Sequence, residues 1–292
     1  MKTVVARRGS DQPIVAELDT QVVGPDEVRV AVTAAAFTYF DAFVAAHHDS
    51  LGLPEQVGLG FDFSGIVAEV GSRVSALAIG DRVAGLHVDI TAAVRAHSQE
   101  VVIDAGALAV VPVEVDLAVA AAVPLSALTA HQALDLLGPD RGRLLVTGAA
   151  GAVGGWLTEL AAREGWHVTA LVKPGTATRP RSANVVITEL SGSYDAVLDA
   201  AALHAPALAA VRDDGRYVGF KPGDPQTPER GVIVGTVQVV ADGAALGVLL
   251  DLAAKGAVPV HIAGRTPLPD AAAAYANGAA SSGSRGRWLL IP

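Results

Sequence analysis

The 292-residue chain has no cysteine, so disulfides and thiolate chemistry are excluded and any metal would have to be held by histidines and carboxylates. Basic residues are also outnumbered: 21 Lys and Arg against 30 Asp and Glu give a net charge of -9. With no dense basic block along the chain, neither nucleic acid nor an anionic membrane is expected as its main partner. The longest apolar stretch, Ala118 to Ala130, is broken by Pro124 and Thr129 and followed by His131, short of a membrane span, and reads as a buried helix start. Met1 to Gly9 holds two arginines but no apolar segment of signal-peptide length, which points to the cytoplasm.

What the chain does have is apolar mass, 51% of its residues, enough for a large core and one or two domains. Up to about Pro112, short β-branched runs (Val28 to Val32, Gly65 to Val70, Val101 to Asp104) are separated by Gly, Pro and Asp turn signals, the texture of an irregular β domain. From about Ala120 longer units alternate. A helical stretch to Leu137 leads to the strand Arg143 to Thr147, an Ala-rich helix to Arg163, and a strand from His167 to Val172. Further strands are expected at Val185 to Ile187, Asp195 to Asp199, Arg216 to Gly219 and Val232 to Val237, the pattern of a parallel, doubly wound sheet. After a helix ending near Lys255 come two short strands, Val258 to Ile262 and Arg287 to Ile291, around a helix starting near Pro269. The expected division is α/β, with residues 1–119 and 257–292 forming the β domain and 120–256 an inserted nucleotide domain, and a cleft between the two. Lys173 to Asn184, rich in Pro, Thr, Arg and Gly, reads as a loop where a doubly wound fold normally has a helix.

The strongest local signal is Leu144-Leu145-Val146-Thr147-Gly148-Ala149-Ala150-Gly151-Ala152-Val153-Gly154, a buried strand entering a glycine-spaced turn and then a helix. Gly148 and Gly151 let the chain turn tightly and bring backbone N–H groups to a pyrophosphate, and Gly154 lets the helix pack on the strand. The N–H groups of Ala152, Val153 and Gly154 open that helix, whose positive end suits an anion. The second strand ends in Leu171-Val172-Lys173, where an NAD site would place an acidic residue. Lys173 instead suits a 2'-phosphate, and hence NADPH, unless it is a solvated loop lysine; Arg181, and Arg179 beside it, either join it there or face solvent.

Gly60-Phe61-Asp62-Phe63-Ser64-Gly65-Ile66-Val67-Ala68-Glu69-Val70-Gly71, with Val74 and Gly80-Asp81-Arg82-Val83, resembles the paired glycine motifs of the medium-chain dehydrogenases/reductases, in their quinone oxidoreductase and enoyl reductase branch. Ala121-Ala122-Val123-Pro124-Leu125 with Leu128-Thr129-Ala130, Asp214-Gly215-Arg216 and Arg285 to Leu290 extend the likeness over nearly the whole chain. The resemblance implies a GroES-like β domain, a Rossmann domain, a homodimer built through the nucleotide domain, and a nicotinamide beside Thr129. The superfamily's zinc enzymes use cysteine ligands that are absent here, and neighbouring side chains such as those of His47 and His48 diverge, so no metal site is expected. Several positions depart from the family pattern. Thr38, in Phe37-Thr38-Tyr39-Phe40-Asp41, stands where that branch usually has Asn; Ala152 stands where a second consecutive glycine is usual; Glu159 and Ala162 replace a common Gln and Lys. Arg95-Ala96-His97-Ser98-Gln99-Glu100 replaces a frequent Gly-aromatic-Ala-Glu-aromatic run.

The function implied is a zinc-independent, NADPH-dependent reductase. It would deliver hydride to a small apolar acceptor, a conjugated carbonyl compound or a quinone, against a wall offered by Phe37, Tyr39, Phe40, Phe43 and Phe63. Without a metal, hydrogen-bond donors must stabilise the developing enolate. Tyr39 is the first such donor unless it is a packed aromatic, with Thr38 and His47 behind it. Two other classes stay open: a redox-neutral dehydratase or cyclase on the same scaffold, and a non-catalytic NADPH-binding sensor. A tailoring role on a secondary metabolite suits so divergent a member.

Overall fold

A computed structural model shows two compact units, Met1–Leu125 with Val240–Pro292, and Ser126–Val239. The structure describes residues 1–10, 12–176, 180–221, 223, 225–280 and 286–292, without the side chains of 276–280.

The first unit begins with β1 (Lys2–Arg7), β2 (Ile14–Glu17), β3 (Glu27–Ala36) and α1 (Tyr39–Ala46), then β4 (Gln56–Gly58), β5 (Asp62–Val70), β6 (Arg82–Leu86), β7 (Glu100–Asp104) and β8 (Leu108–Val110). α2 (Leu117–Ala120) follows, and then α3 (Pro124–Asp135), which belongs to the second unit from Ser126 on, with Pro124 at a helix start where its missing N–H costs nothing. β3 is the spine: its alternating burial feeds one face to a core of Val28, Val30, Phe63, Val67, Val83 and Val101. Gly65 is obligatory opposite it, because a Cβ there would lie 2.1 Å from the Ala31 carbonyl oxygen. A separate small sheet, β2-β1-β4, lies antiparallel throughout.

The second unit holds β9 (Arg143–Thr147), α4 (Ala152–Arg163), β10 (His167–Leu171), β11 (Val185–Ile187), β12 (Tyr194–Asp199), α5 (Ala205–Ala209), β13 (Val211–Gly219) and β14 (Ile233–Thr236). These six strands pair in parallel in the order β11-β10-β9-β12-β13-β14. Past their first residue β9 and β10 are buried without alternation, as parallel strands covered on both faces are. Strand order reverses between β9 and β12, the crevice at which doubly wound sheets bind ligands. No described residue between 173 and 184 is helical.

The chain then returns to the first unit with α6 (Gly243–Ala254), β15 (Ile262–Pro267), α7 (Ala271–Ala280) and β16 (Arg287–Ile291). β16 inserts between β15 and β3 in the sheet β15-β16-β3-β5-β6-β8. Two expectations are corrected here. The compact units part at Leu125 and Val240 rather than at residues 119 and 257. α6 packs on β8 so closely that a Cβ on Gly243 would meet the Leu108 carbonyl oxygen at 2.1 Å, and this contact returns the helix to the first unit. Val258 to His261 form no strand; β15 starts at Ile262 because its register is set by pairing with Arg287 to Ile291. Among the described residues, no helix is long and apolar enough to cross a membrane.

Candidate functional site

In the second unit, the glycine turn follows β9 at the strand-order reversal. Gly148 has φ +61°, the left-handed region that glycine enters without strain. Gly154 is buried in the first turn of α4, where a Cβ would sit 2.2 Å from the Gly148 carbonyl oxygen, so any larger residue would push the helix off the turn. Gly151 is the N-cap of α4 and makes no side-chain capping bond. The N–H groups of the first turn, from Ala152, Val153 and Gly154, therefore meet the condition for holding an anion: no intrahelical partners and the positive end of the helix. Gly151 and Ala152 are exposed, Val153 half-buried. A cradle that added Cβ atoms would fill, opening on an uncapped 12-residue helix, fits a dinucleotide pyrophosphate.

Opposite this turn, the end of β12 carries a hydrogen-bond knot that sequence reasoning missed. Asp199, fully buried, accepts from Thr147 Oγ1 (2.7 Å), Tyr217 OH (2.8 Å) and the backbone N–H groups of Leu203 (3.1 Å) and His204 (2.8 Å). Thr147 Oγ1 in turn accepts from the Ala201 N–H at 2.9 Å. The knot forces Ala202 and His204 to positive φ values of 53° and 61°, strain that persists only where the surroundings over-determine it. It also lays Ala201 against Gly148, at 3.3 Å from the position of an added Cβ. The available signal was an acidic residue closing an apolar strand, Asp199 after Ala196-Val197-Leu198.

Thr129 is half-buried on α3. Lys173 is the second residue past β10, with an exposed side chain, and Arg181 is exposed as well; Arg179 lies outside the described residues. Glu159 of α4 accepts from Ser182 Oγ and pairs with Arg163 (2.6 Å), which ties the loop carrying Arg181 to the helix.

In the first unit Thr38 and Tyr39 stand at the start of α1 and His47 at its far end, so the helix carries all three without bringing His47 to the other two. Thr38 is its N-cap in a capping box: Thr38 N–H and Oγ1–H donate to Asp41 Oδ2 (2.8 and 2.7 Å), while the Asp41 N–H donates to Thr38 Oγ1 at 3.1 Å. The Thr38 hydroxyl is thus committed to Asp41. Tyr39, the next residue, is 76% exposed and presents its phenol to solvent. His47 is the C-cap, exposed, its Nδ1 at 2.9 Å from the Phe43 carbonyl oxygen and its ring stacked on Phe43 (4.2 Å). Phe43 stacks on Phe40 (5.6 Å), which tilts against Phe61 (5.4 Å). Phe37 and Phe63 are buried in cores instead.

Beneath α1 lies a buried polar group. Asp41 Oδ1 accepts from the Gly60 N–H (3.1 Å). Arg95, fully buried, donates from Nη2 to the His87 carbonyl (2.9 Å) and lays its guanidinium over Phe61 at 3.9 Å. Burial lowers the Arg95 pKa, with the Asp41 charge the largest opposing influence. His97 lies 2.7 Å through Nδ1 from Tyr275 OH and 3.3 Å through Nε2 from the Ala36 carbonyl oxygen. Burial lowers its pKa, and since a carbonyl can only accept, the neutral ring carries its proton on Nε2 and accepts from the tyrosine. Burial likewise drives His87 down to about 4 and raises Tyr275 well above its usual value. Among the described residues no group of three or more His, Asp or Glu is arranged to hold a metal ion.

A third buried carboxylate, Asp62 of β5, accepts from the Leu125 N–H (2.6 Å) at the start of α3 and pairs with Arg287 of β16. Burial raises its pKa to about 7 against the pull of Arg287 and of the Leu125 N–H.

Residues 24–121 match the family model of the alcohol dehydrogenase GroES-like domain. The whole chain superposes on quinone oxidoreductase from Coxiella burnetii with TM-score 0.84 at 21% identity, covering 100% of this chain and 99% of that one. On mycobacterial Rv1454c complexed with NADPH it does so with TM-score 0.79 at 23% identity, covering all of both chains. In sequence it is 34% identical over 215 residues to the spectinabilin polyketide synthase system protein NorB of Streptomyces orinoci, a stretch of 67% of this chain and only 9% of that protein. The architecture is thus a GroES-like β unit with a Rossmann-like parallel sheet. The chain carries an alcohol dehydrogenase GroES-like domain over residues 24–121 and has the fold of quinone oxidoreductases such as that from Coxiella burnetii.

Proposed function

We propose that the protein is a zinc-independent, NADPH-dependent reductase that transfers hydride to a conjugated carbonyl compound or a quinone. The observation that carries this reading is the glycine cradle at the strand-order reversal, closed by Gly154 against Gly148 and opening on the uncapped start of α4. Ala152, Val153 and Gly154 hold the pyrophosphate through backbone N–H groups at a turn that Gly148 and Gly151 shape. Thr129 lies beside the nicotinamide. Lys173, aided by Arg181, takes the 2'-phosphate that a carboxylate would repel. The reduced nicotinamide supplies the hydride when bound. This chain's own residues then have to stabilise the negative charge that develops on the acceptor oxygen.

Tyr39 suits that task, because its phenol is exposed on the first turn of α1 and donates a hydrogen bond or a proton to the acceptor oxygen. Thr38 acts behind it by fixing the helix start, since its own hydroxyl is spent on Asp41. His47 stands two turns further along the helix as a weaker donor. Phe40 and Phe43 supply flat apolar contact for the acceptor. The likeness to a polyketide synthase system protein supports an acceptor drawn from secondary metabolism. The exposed Ile233 on edge strand β14 is consistent with a homodimer built through the second unit.

The test is to follow loss of reduced-nicotinamide absorbance with purified protein across a panel of enones, enoyl thioesters and p-quinones. Turnover with at least one acceptor class, dependent on NADPH, is expected. Tight NADPH binding without oxidation on any acceptor would overturn the reading.

A further inference from the structure

Arg95 is hard to explain as part of a core. Its side chain is fully buried, and Nε and Nη1 have no hydrogen-bond partner among the described residues. A buried cation without a direct ion pair costs several kcal/mol even after relaxation, on the order of what a stable core residue contributes. The segment that carries it is packed tightly against the turn after β4. A Cβ on Gly58 would lie 2.7 Å from the Arg95 backbone nitrogen, and Gly60 (φ +99°) yields in the same way to His97. Besides the His87 carbonyl that takes its Nη2, two groups connect Arg95 to α1. Its guanidinium lies on Phe61, and Phe61 contacts Phe40. Asp41, also fully buried, is the carboxylate whose charge most favours the Arg95 cation, and Asp41 is the residue that closes the cap with Thr38 and takes the Gly60 N–H.

We propose that Arg95 is a positioning residue for α1: its buried charge holds the Asp41 carboxylate in the capping box, its flat face backs Phe61 and Phe40, and together these fix the orientation of Tyr39. The proposal rests on the reading of Tyr39 as the donor. In chemical terms, removing the cation leaves the buried Asp41 carboxylate held by its hydrogen bonds from Thr38 and Gly60 alone, and the cap that depends on it loosens. Removing the planar group also frees Phe61, and lysine restores the charge without the plate.

The experiment compares Arg95→Met and Arg95→Lys by amide hydrogen exchange and by steady-state kinetics on the accepted substrate. Arg95→Met is expected to speed exchange at the Asp41 and Gly60 amides about tenfold over amides in β3, the mark of a local opening. It should lower kcat about tenfold at unchanged KM for NADPH, the scale of a small misplacement of a reacting group. Arg95→Lys should restore slow exchange at both amides while raising KM for the acceptor. In a Tyr39→Phe background Arg95→Met should lower kcat no further. If Arg95→Met does not fold, Arg95→Gln, which keeps a donor for the His87 carbonyl, carries the same expectation. Unchanged exchange at Asp41 and Gly60, or an increase spread evenly over the first unit, overturns the proposal. Faster exchange at those two amides with a silent Tyr39→Phe leaves the positioning of α1 standing and removes the donor role of Tyr39.

Discussion

Thr147 and Asp199, the last residues of β9 and β12, are joined side chain to side chain at 2.7 Å where the strand order of the parallel sheet reverses. Because Thr147 Oγ1 also accepts from the Ala201 N–H, one hydroxyl ties the loop after β12 to the glycine turn. Thr147→Val keeps the shape and deletes both bonds. It should destabilise the protein by about 1–3 kcal/mol, the penalty for buried polar groups left unpaired, and weaken NADPH binding as the loop slackens. Urea unfolding and a fluorescence titration with NADPH would check this; an unchanged unfolding midpoint would show that the knot holds nothing.

Tyr39→Phe removes one hydroxyl from an exposed position and should leave the fold intact. A loss of about 100-fold in turnover is expected, in the usual range for a general acid, with NADPH affinity unaltered. Equal turnover of variant and parent would take Tyr39 out of the mechanism.

Lys173→Glu places a carboxylate one residue past Val172, where it can accept from ribose hydroxyls and repel a 2'-phosphate. The ratio of kcat/KM for NADPH over NADH should fall at least tenfold, with stability unaltered because the side chain is exposed. A constant ratio would show that another residue reads the phosphate.

The pH dependence of stability follows from Asp62. Burial raises its folded-state pKa to about 7, so on raising the pH from about 4 the unfolded chain gives up this proton while the folded protein retains it. The contribution of Asp62 to stability is therefore full in acid and is lost as the pH rises to about 7, with a slope of at most about 1.4 kcal/mol per pH unit. Thermal unfolding of the parent and of Asp62→Asn between pH 4 and 8 should show the parent losing stability relative to the variant up to about pH 7 and levelling above it. A constant difference would mean that Asp62 stays ionised throughout.

The elements legible in the sequence were those whose signal is local. Arg143 to Thr147, Val185 to Ile187 and Arg287 to Ile291 coincide with β9, β11 and β16, because apolar runs bounded by turn residues carry their own ends. The glycine turn was legible for the same reason. β15 was not, because Gly264 is placed by the Trp288 ring, which would lie 2.6 Å from its Cβ, far along the chain. The Asp199 knot gathers Thr147, Tyr217 and His204 from three separate segments, and the Arg95 cluster likewise joins distant strands. No spacing rule reports on such contacts. No helix was expected at α1, and only the hydrogen bonds and exposure separate Thr38, whose hydroxyl is committed to Asp41, from the exposed Tyr39.

The position of β16 bears on biogenesis. Ala35 and Ala36 of β3 find their partners in Leu290 and Leu289, which leave the ribosome only after the entire Ser126–Val239 unit has been made. The second unit is continuous in sequence and can collapse as soon as it emerges, whereas in the first unit one edge at the end of the spine strand waits unpaired, a non-local closure that folds slowly. Nascent chains stalled before Arg287 are thus the species in which an open strand edge is exposed to a chaperone or to another copy.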